Sequence, residues 1–189
     1  MSTTFLIVDW FSTDILFPFR SLRFSKRFFW FSDEAFKTDT LDSYLRAEKA
    51  EIAHPNAAWA HVTGKGLLFF AKRAEDTAGP SGILNLVGSS PPSALASDIT
   101  DNVLQADVSD VTKEGSNDFS FKVNGHRHVF QATSTAERSS WIAAIETKAT
   151  EAKGLKEGVV GGEGYKKHLE RYSTSIVFHL VYPTQDPFR

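Results

Sequence analysis

The sequence predicts a mainly β, antiparallel fold closed by one helix near its C-terminal end. Three observations carry this. Candidate strands follow one another without βαβ alternation, Asn124-Gly125 sits between two strand-like segments, and Ser134-Thr-Ala-Glu137 opens a helix bearing a tryptophan on its apolar stripe. With 189 residues, one domain with appendages is expected. Apolar residues make up 41% and there are 16 Phe, 4 Trp and 4 Tyr, enough to build a core, so global disorder is excluded.

Along the chain, Arg27-Phe-Phe-Trp-Phe-Ser32 reads as a strand with apolar side chains on both faces. Leu41–Glu51 reads as a short helix that Pro55 stops from running past His54. Gly66–Arg73 and Gly82–Leu86 are further strands, and Asp107–Thr112 another, followed by a turn over Lys113–Asn117. The type I′ turn expected at Asn124-Gly125 fixes the next register: Val123 faces His126, Phe121 faces His128 and Phe119 faces Phe130. In the last helix Trp141, Ile142, Ile145 and Ala149 recur at helical spacing, and Gly154 is expected to weaken or end it. Gly161–Gly164 reads as a flexible joint before a short helix over 165–172.

Composition excludes several chemistries. Zero Cys removes disulfides, thiolate metal sites and Cys catalysis. With 21 Lys+Arg against 23 Asp+Glu, the net charge of −2 exerts no chain-wide pull on nucleic acid. The apolar stretch Phe5–Phe19 is broken by Asp9 and Asp14, so no transmembrane segment is expected, and Met1-Ser-Thr-Thr lacks the basic start of a secretory signal. His126 and His128 share the face of Phe119, Phe121 and Phe130 and read as core or rim histidines; no metal and no cofactor is expected. Gly158–Gly164 lacks the Lys-Ser/Thr of a phosphate loop, and no G-x-S-x-G is present, so no enzyme is expected.

One cluster stands out. Arg20, Arg23, Lys26 and Arg27 fall within eight positions, with no acid between Asp14 and Asp33. Such a cluster repels itself unless an anion or a neighbouring acid (Asp33, Glu34, Glu75 or Asp76) neutralises it. Lys122 opposite Arg127 is a second like-charge pair, read as a plain exposed face compensated by Glu114, Asp118 or an anionic partner.

The segments Lys26–Asp33, Gly66–Arg73, Pro80–Leu86, Phe119–Ala132 and Ala136–Ile145 together resemble strands 2, 3, 4, 6 and 7 and the closing helix of a pleckstrin homology (PH) domain. The likeness is greatest to a fungal group carrying an insertion between strands 2 and 3. It implies a seven-stranded antiparallel barrel or sandwich capped by one C-terminal helix, with strand 1 near Leu16–Leu22 and a core including Trp30, Phe119, Phe130 and Trp141. It implies an N-terminal extension over 1–16, the domain over 17–153 with a helical insertion at 33–63, and a flexible tail over 154–189. It also implies a phosphoinositide site where strands 1 and 2 meet, with Arg20, Arg23, Lys26 and Arg27 joined by Lys72 and Arg73 from the end of strand 3.

Val87–Gln105 interrupts that resemblance. Removing it joins Leu86 to Ala106 and restores a strand–turn–strand passage. A Val codon begins GT and a Gln codon can end AG, so the segment reads as a retained intron, or else as a disordered loop. Two functional classes follow. The first is a cytoplasmic, non-enzymatic signalling adaptor, peripheral at the membrane, that docks weakly on acidic phospholipid headgroups. The second is a protein-interaction module without a lipid ligand, using strands 2 and 3 and the insertion, since both faces of Phe28–Phe31 are apolar and either a partner or the insertion itself must cover one.

Overall fold

A computed structural model describes residues 2–8, 24–88 and 108–181; side chains are described over 27–76, 79–88 and 108–172. Strands β2 (Phe24–Phe31), β3 (Leu67–Ala71) and β4 (Gly82–Asn85) form one antiparallel run, and β5 (Ser109–Glu114), β6 (Asp118–Val123) and β7 (His126–Gln131) another. Between them lies β1 (Ser2–Val8), antiparallel to both β2 and β7, so the order is β4-β3-β2-β1-β7-β6-β5. The expectation of an unpaired N-terminal extension is thus corrected over Ser2–Val8, whose Thr-Phe-Leu-Ile-Val run suits a pleated ladder. Leu16–Leu22, where strand 1 was expected, lies outside the described residues.

The β6–β7 hairpin has the register that its turn dictates: Phe119 pairs with Phe130, Phe121 with His128 and Val123 with His126. Asn124 and Gly125 both have positive φ, 52° and 76°, as a type I′ turn demands. β5 starts and ends two residues later than expected, because Gly115, at φ 58°, makes a tighter turn into β6.

Alternation along β2 separates two cores. Phe29, Leu68, Leu86, Phe119, Phe121 and Phe130 face inward with Trp141 and Ile145, while Phe28, Trp30, Phe69 and Ile83 face outward. The outer face is covered by the insertion: α1 (Asp42–Ala47) brings Tyr44, and α2 (Ala50–Val62) brings Ala53, Ala57, Trp59 and Ala60. Buried Asn56 donates to the Tyr44 hydroxyl at 3.0 Å, joining the two helices, and the Trp59 indole N–H donates to the Lys65 carbonyl at 2.9 Å. The expected single helix over Leu41–Glu51 is therefore two, divided at extended Glu48 and Lys49.

Nor does Pro55 end the helix. It sits inside α2, where a proline costs about 3 kcal/mol by removing a hydrogen bond to the preceding turn. Every residue from Pro55 to Ala60 is buried, and that packing outweighs the penalty.

α3 (Thr135–Gly161) begins as its sequence requires, with the Ser134 hydroxyl accepting from Glu137 N–H at 3.2 Å. Gly154 does not stop it. Trp141, Ile145 and Ala149 fill the inner core, and Ala152 and Val159 then join the outer one, so the helix passes from one layer to the other. The crossing is at Gly66, which adopts φ +74° and whose missing Cβ leaves room for Ala152. α4 (Glu163–Val181) follows after a break at Gly162 and sets Tyr165 and Tyr172 into the outer core. The flexible tail expected over 154–189 is corrected over 154–181, where the expected short helix at 165–172 forms part of α4; 182–189 lie outside the described residues. Packing across sequence-distant elements, invisible in local spacing, holds these helices in place.

Val87 also departs from expectation. It is fully buried, its N–H bonds to Asn85 Oδ1 at 3.1 Å, and its carbonyl accepts from Lys156 Nζ at 3.1 Å. The interrupting segment therefore begins no earlier than Gly88 as far as the fold is concerned; residues 89–107 lie outside the described residues.

Candidate functional site

The strand pairing brings several of the expected cations to one end of the sheet. Phe24, Val8 and Val129 stand side by side across β2, β1 and β7. The Asn124-Gly125 turn thus lies at the same end as the start of β2, opposite the end where Phe31 meets Trp141. Phe28 pairs with Ala71, so Lys72 and Arg73 follow β3 at this end too, beside Lys26 and Arg27. Lys72 and Arg73 are exposed and Arg27 is half-buried. Lys26 pairs with Leu6 through its backbone, but its side chain, like Arg20 and Arg23 entirely, lies outside the described residues.

Arg27 alternates with Phe29 and Phe31 on the inner face, and its guanidinium carbon lies 5.7 Å from the centre of the Phe70 ring. Phe70 in turn stacks on Phe29 at 5.3 Å. The ring has this position because its strand partner is Gly82, where a Cβ would come within 1.9 Å of the ring. Phe70 and Gly82 were not singled out in the sequence. The signal was present, since a glycine opposite a phenylalanine in paired strands leaves room for the ring, but only once the β3–β4 register is known.

Of the acids expected to neutralise the cluster, Asp33 is engaged by α3. Asp33 accepts from Lys148 Nζ at 2.5 Å, which holds its carboxyl below the usual range. Lys148 also reaches Glu151 at 3.2 Å, and Glu151 takes Lys65 at 2.8 Å, tying α3 to the ends of β2 and β3. Among the described residues no ion pair involves Lys72, Arg73, Glu34, Glu75 or Asp76.

The second like-charge pair is compensated. Arg127 pairs with Glu114, whose carboxyl is lowered first by the Ser120 hydroxyl and then by Arg127, and Lys122 pairs with Asp110 at 2.9 Å. Glu114 was among the expected partners; Asp110, at φ 53°, replaces Asp118. Those cations are committed to their own sheet face.

His126 is exposed at the hairpin tip, and the His128 ring lies 6.0 Å from Phe121 and 6.5 Å from Phe130, on the face that the register required. Among the described residues no group of three His, Asp or Glu is arranged to hold a metal ion, and no helix is long and apolar enough to cross a membrane. The four residues expected in the core are buried: Trp30, Phe119, Phe130 and Trp141.

What this arrangement can do chemically is receive an anion. Among the described residues, Lys72 and Arg73 are exposed at this end of the sheet and the Arg27 guanidinium lies over the Phe70 ring, and such cations are the groups a phosphate or carboxylate pairs with.

Comparison with known proteins gives one match. The family model described as pleckstrin homology domain matches residues 21–101 and 96–148. No curated protein and no solved structure matches.

Proposed function

This chain belongs to the pleckstrin homology domain family, whose members are generally non-catalytic modules that bind lipid or protein, and we propose that it docks weakly and reversibly on acidic, phosphoinositide-containing membrane surfaces. The full seven-stranded barrel of the family, peripheral membrane placement in the cytoplasm and an adaptor role in signalling belong to this reading.

What supports this reading is the strand register, which sets the backbone of Lys26 and Arg27 beside Lys72 and Arg73 at one end of the sheet; Arg20 and Arg23 precede them in sequence. Bidentate guanidinium contacts favour a phosphorylated headgroup over a singly charged lipid. Each cation near an anionic surface contributes on the order of 1 kcal/mol, so a handful gives reversible docking that salt weakens.

The competing reading, a protein-interaction module built on strands 2 and 3, loses its main support. The outward aromatics Phe28 and Trp30 are covered by α1 and α2 of the same chain rather than left for a partner.

Co-sedimentation with phosphoinositide-containing vesicles at low ionic strength tests the proposal. The wild type should sediment, Lys26→Glu with Arg27→Glu should abolish sedimentation with circular dichroism unchanged, and added salt should reverse it. A wild type that stays in the supernatant at low salt overturns the lipid reading in favour of a protein ligand.

A further inference from the structure

α4 is held against α2 by ionisable side chains as well as by apolar ones. His61 Nδ1 lies 2.8 Å from the Phe36 carbonyl oxygen. That oxygen can only accept, so Nδ1 carries the proton and Nε2 keeps its lone pair. The Tyr172 hydroxyl, 2.5 Å from Nε2, is therefore the donor. Neutral His61 satisfies both partners at once. The His168 ring stacks on His61 with centroids 4.4 Å apart, and the His54 ring stacks on Tyr172 at 5.1 Å. Two imidazoles from α2 meet one imidazole and one phenol from α4.

We propose that this cluster is a proton-operated latch: α4 stays docked on α2 while the imidazoles are neutral and separates from it when they take up protons. The device is independent of the headgroup reading. Protonated His61 presents a second donor at Nε2, so the Tyr172 hydroxyl must turn to accept, and its own proton loses its acceptor. A charge on either stacked ring also faces the other at close range.

The surroundings reinforce this. Lys167 and Arg171 of α4 place positive charge near His168, while Arg171 and Asp42, at the start of α1, act in opposite senses on Tyr172. Burial holds His54 below its ordinary value. Burial, then His61 and the two cations, does the same for His168. A base whose folded pKa is depressed contributes its stability above its unfolded value, 6.5 for these residues, and loses it as pH falls through the folded one. The latch therefore opens on the acid side of neutrality. Opening takes Tyr165, Leu169 and Tyr172 out of the outer core and uncovers the small-residue face of α2.

Hydrogen exchange on the full chain, corrected for intrinsic rates, tests this. Protection over 165–172 should fall about tenfold or more between about pH 7.5 and about pH 5.5, with α3 over 138–148 unchanged. Equal protection at both pH values overturns the latch, as does simultaneous loss in both helices, which is ordinary acid unfolding. The triple variant His54→Gln, His61→Gln and His168→Gln removes every imidazole of the cluster while the amide at position 61 can still donate to Phe36 and accept from Tyr172, so its α4 protection should not depend on pH; a persisting wild-type response overturns the proposal. Should that variant not fold, the imidazole shifts of the wild type decide. The His168 titration should coincide with α4 opening, and midpoints more than about one pH unit apart overturn it.

Discussion

Trp141 shows how much one side chain carries. It is 9% exposed, stacks on Phe31 with centroids 5.5 Å apart, and shares the inner core with Phe119 and Phe130. Trp141→Ala should lower stability by roughly 3–5 kcal/mol, the range for a large aromatic removed from a packed interior. Against a total of about 5–15 kcal/mol, the loss is large enough to leave a measurable unfolded fraction in a urea titration. Residues of this kind were legible in advance, because a tryptophan at the first apolar position of a capped helix has only one face on which to be buried. The Arg27–Phe70 contact was not, since it depends on a pairing between β2 and β3 that no short turn fixes.

Whole elements were read well where local chemistry decides and poorly where packing does. The Asn124-Gly125 hairpin permits one register, and the Ser134–Glu137 box one helix start, so both follow from a few residues. Pro55 is a strong helix breaker and Gly154 a milder one, and here both lie in helices held by packing, which outweighs propensity. The helix–sheet contact itself has a narrow point at Gly66. An added Cβ would come 2.2 Å from the Ala152 Cβ, at a φ of +74° that other residues rarely adopt. Gly66→Ala should therefore cost more than about 1 kcal/mol, and Ala152→Gly in the same chain should recover part of it by relieving the clash. Thermal melts of the single and double variants measure both effects.

At the scale of the molecule, the sheet has a layer on each side, and one of them is assembled from the insertion, the end of α3 and α4. Sequence alone posed the question of what covers the second apolar face of β2; only three-dimensional proximity names residues far along the chain as the answer. The excursion between Gly88 and Val108 leaves and returns beside itself, since Val108 N–H donates to the Leu86 carbonyl at 2.9 Å. Loop closure changes by only about 0.6 kcal/mol per doubling of length, so deleting 89–105 while keeping buried Val87 should leave the melting temperature within a few degrees or raise it. A deletion that also removes Val87 should lower it.

The outer layer has a consequence during synthesis. Phe28 and Trp30 leave the ribosome long before Tyr172, which belongs to the same outer core. The 144 residues from Phe28 to Tyr172 take roughly 7–30 s to translate at ~5–20 residues per second. For that interval the outer core of the nascent chain lacks the side chains that α4 contributes. Chaperone occupancy on ribosome-bound chains should accordingly persist until α4 has emerged, and stalling translation before it should prolong that occupancy.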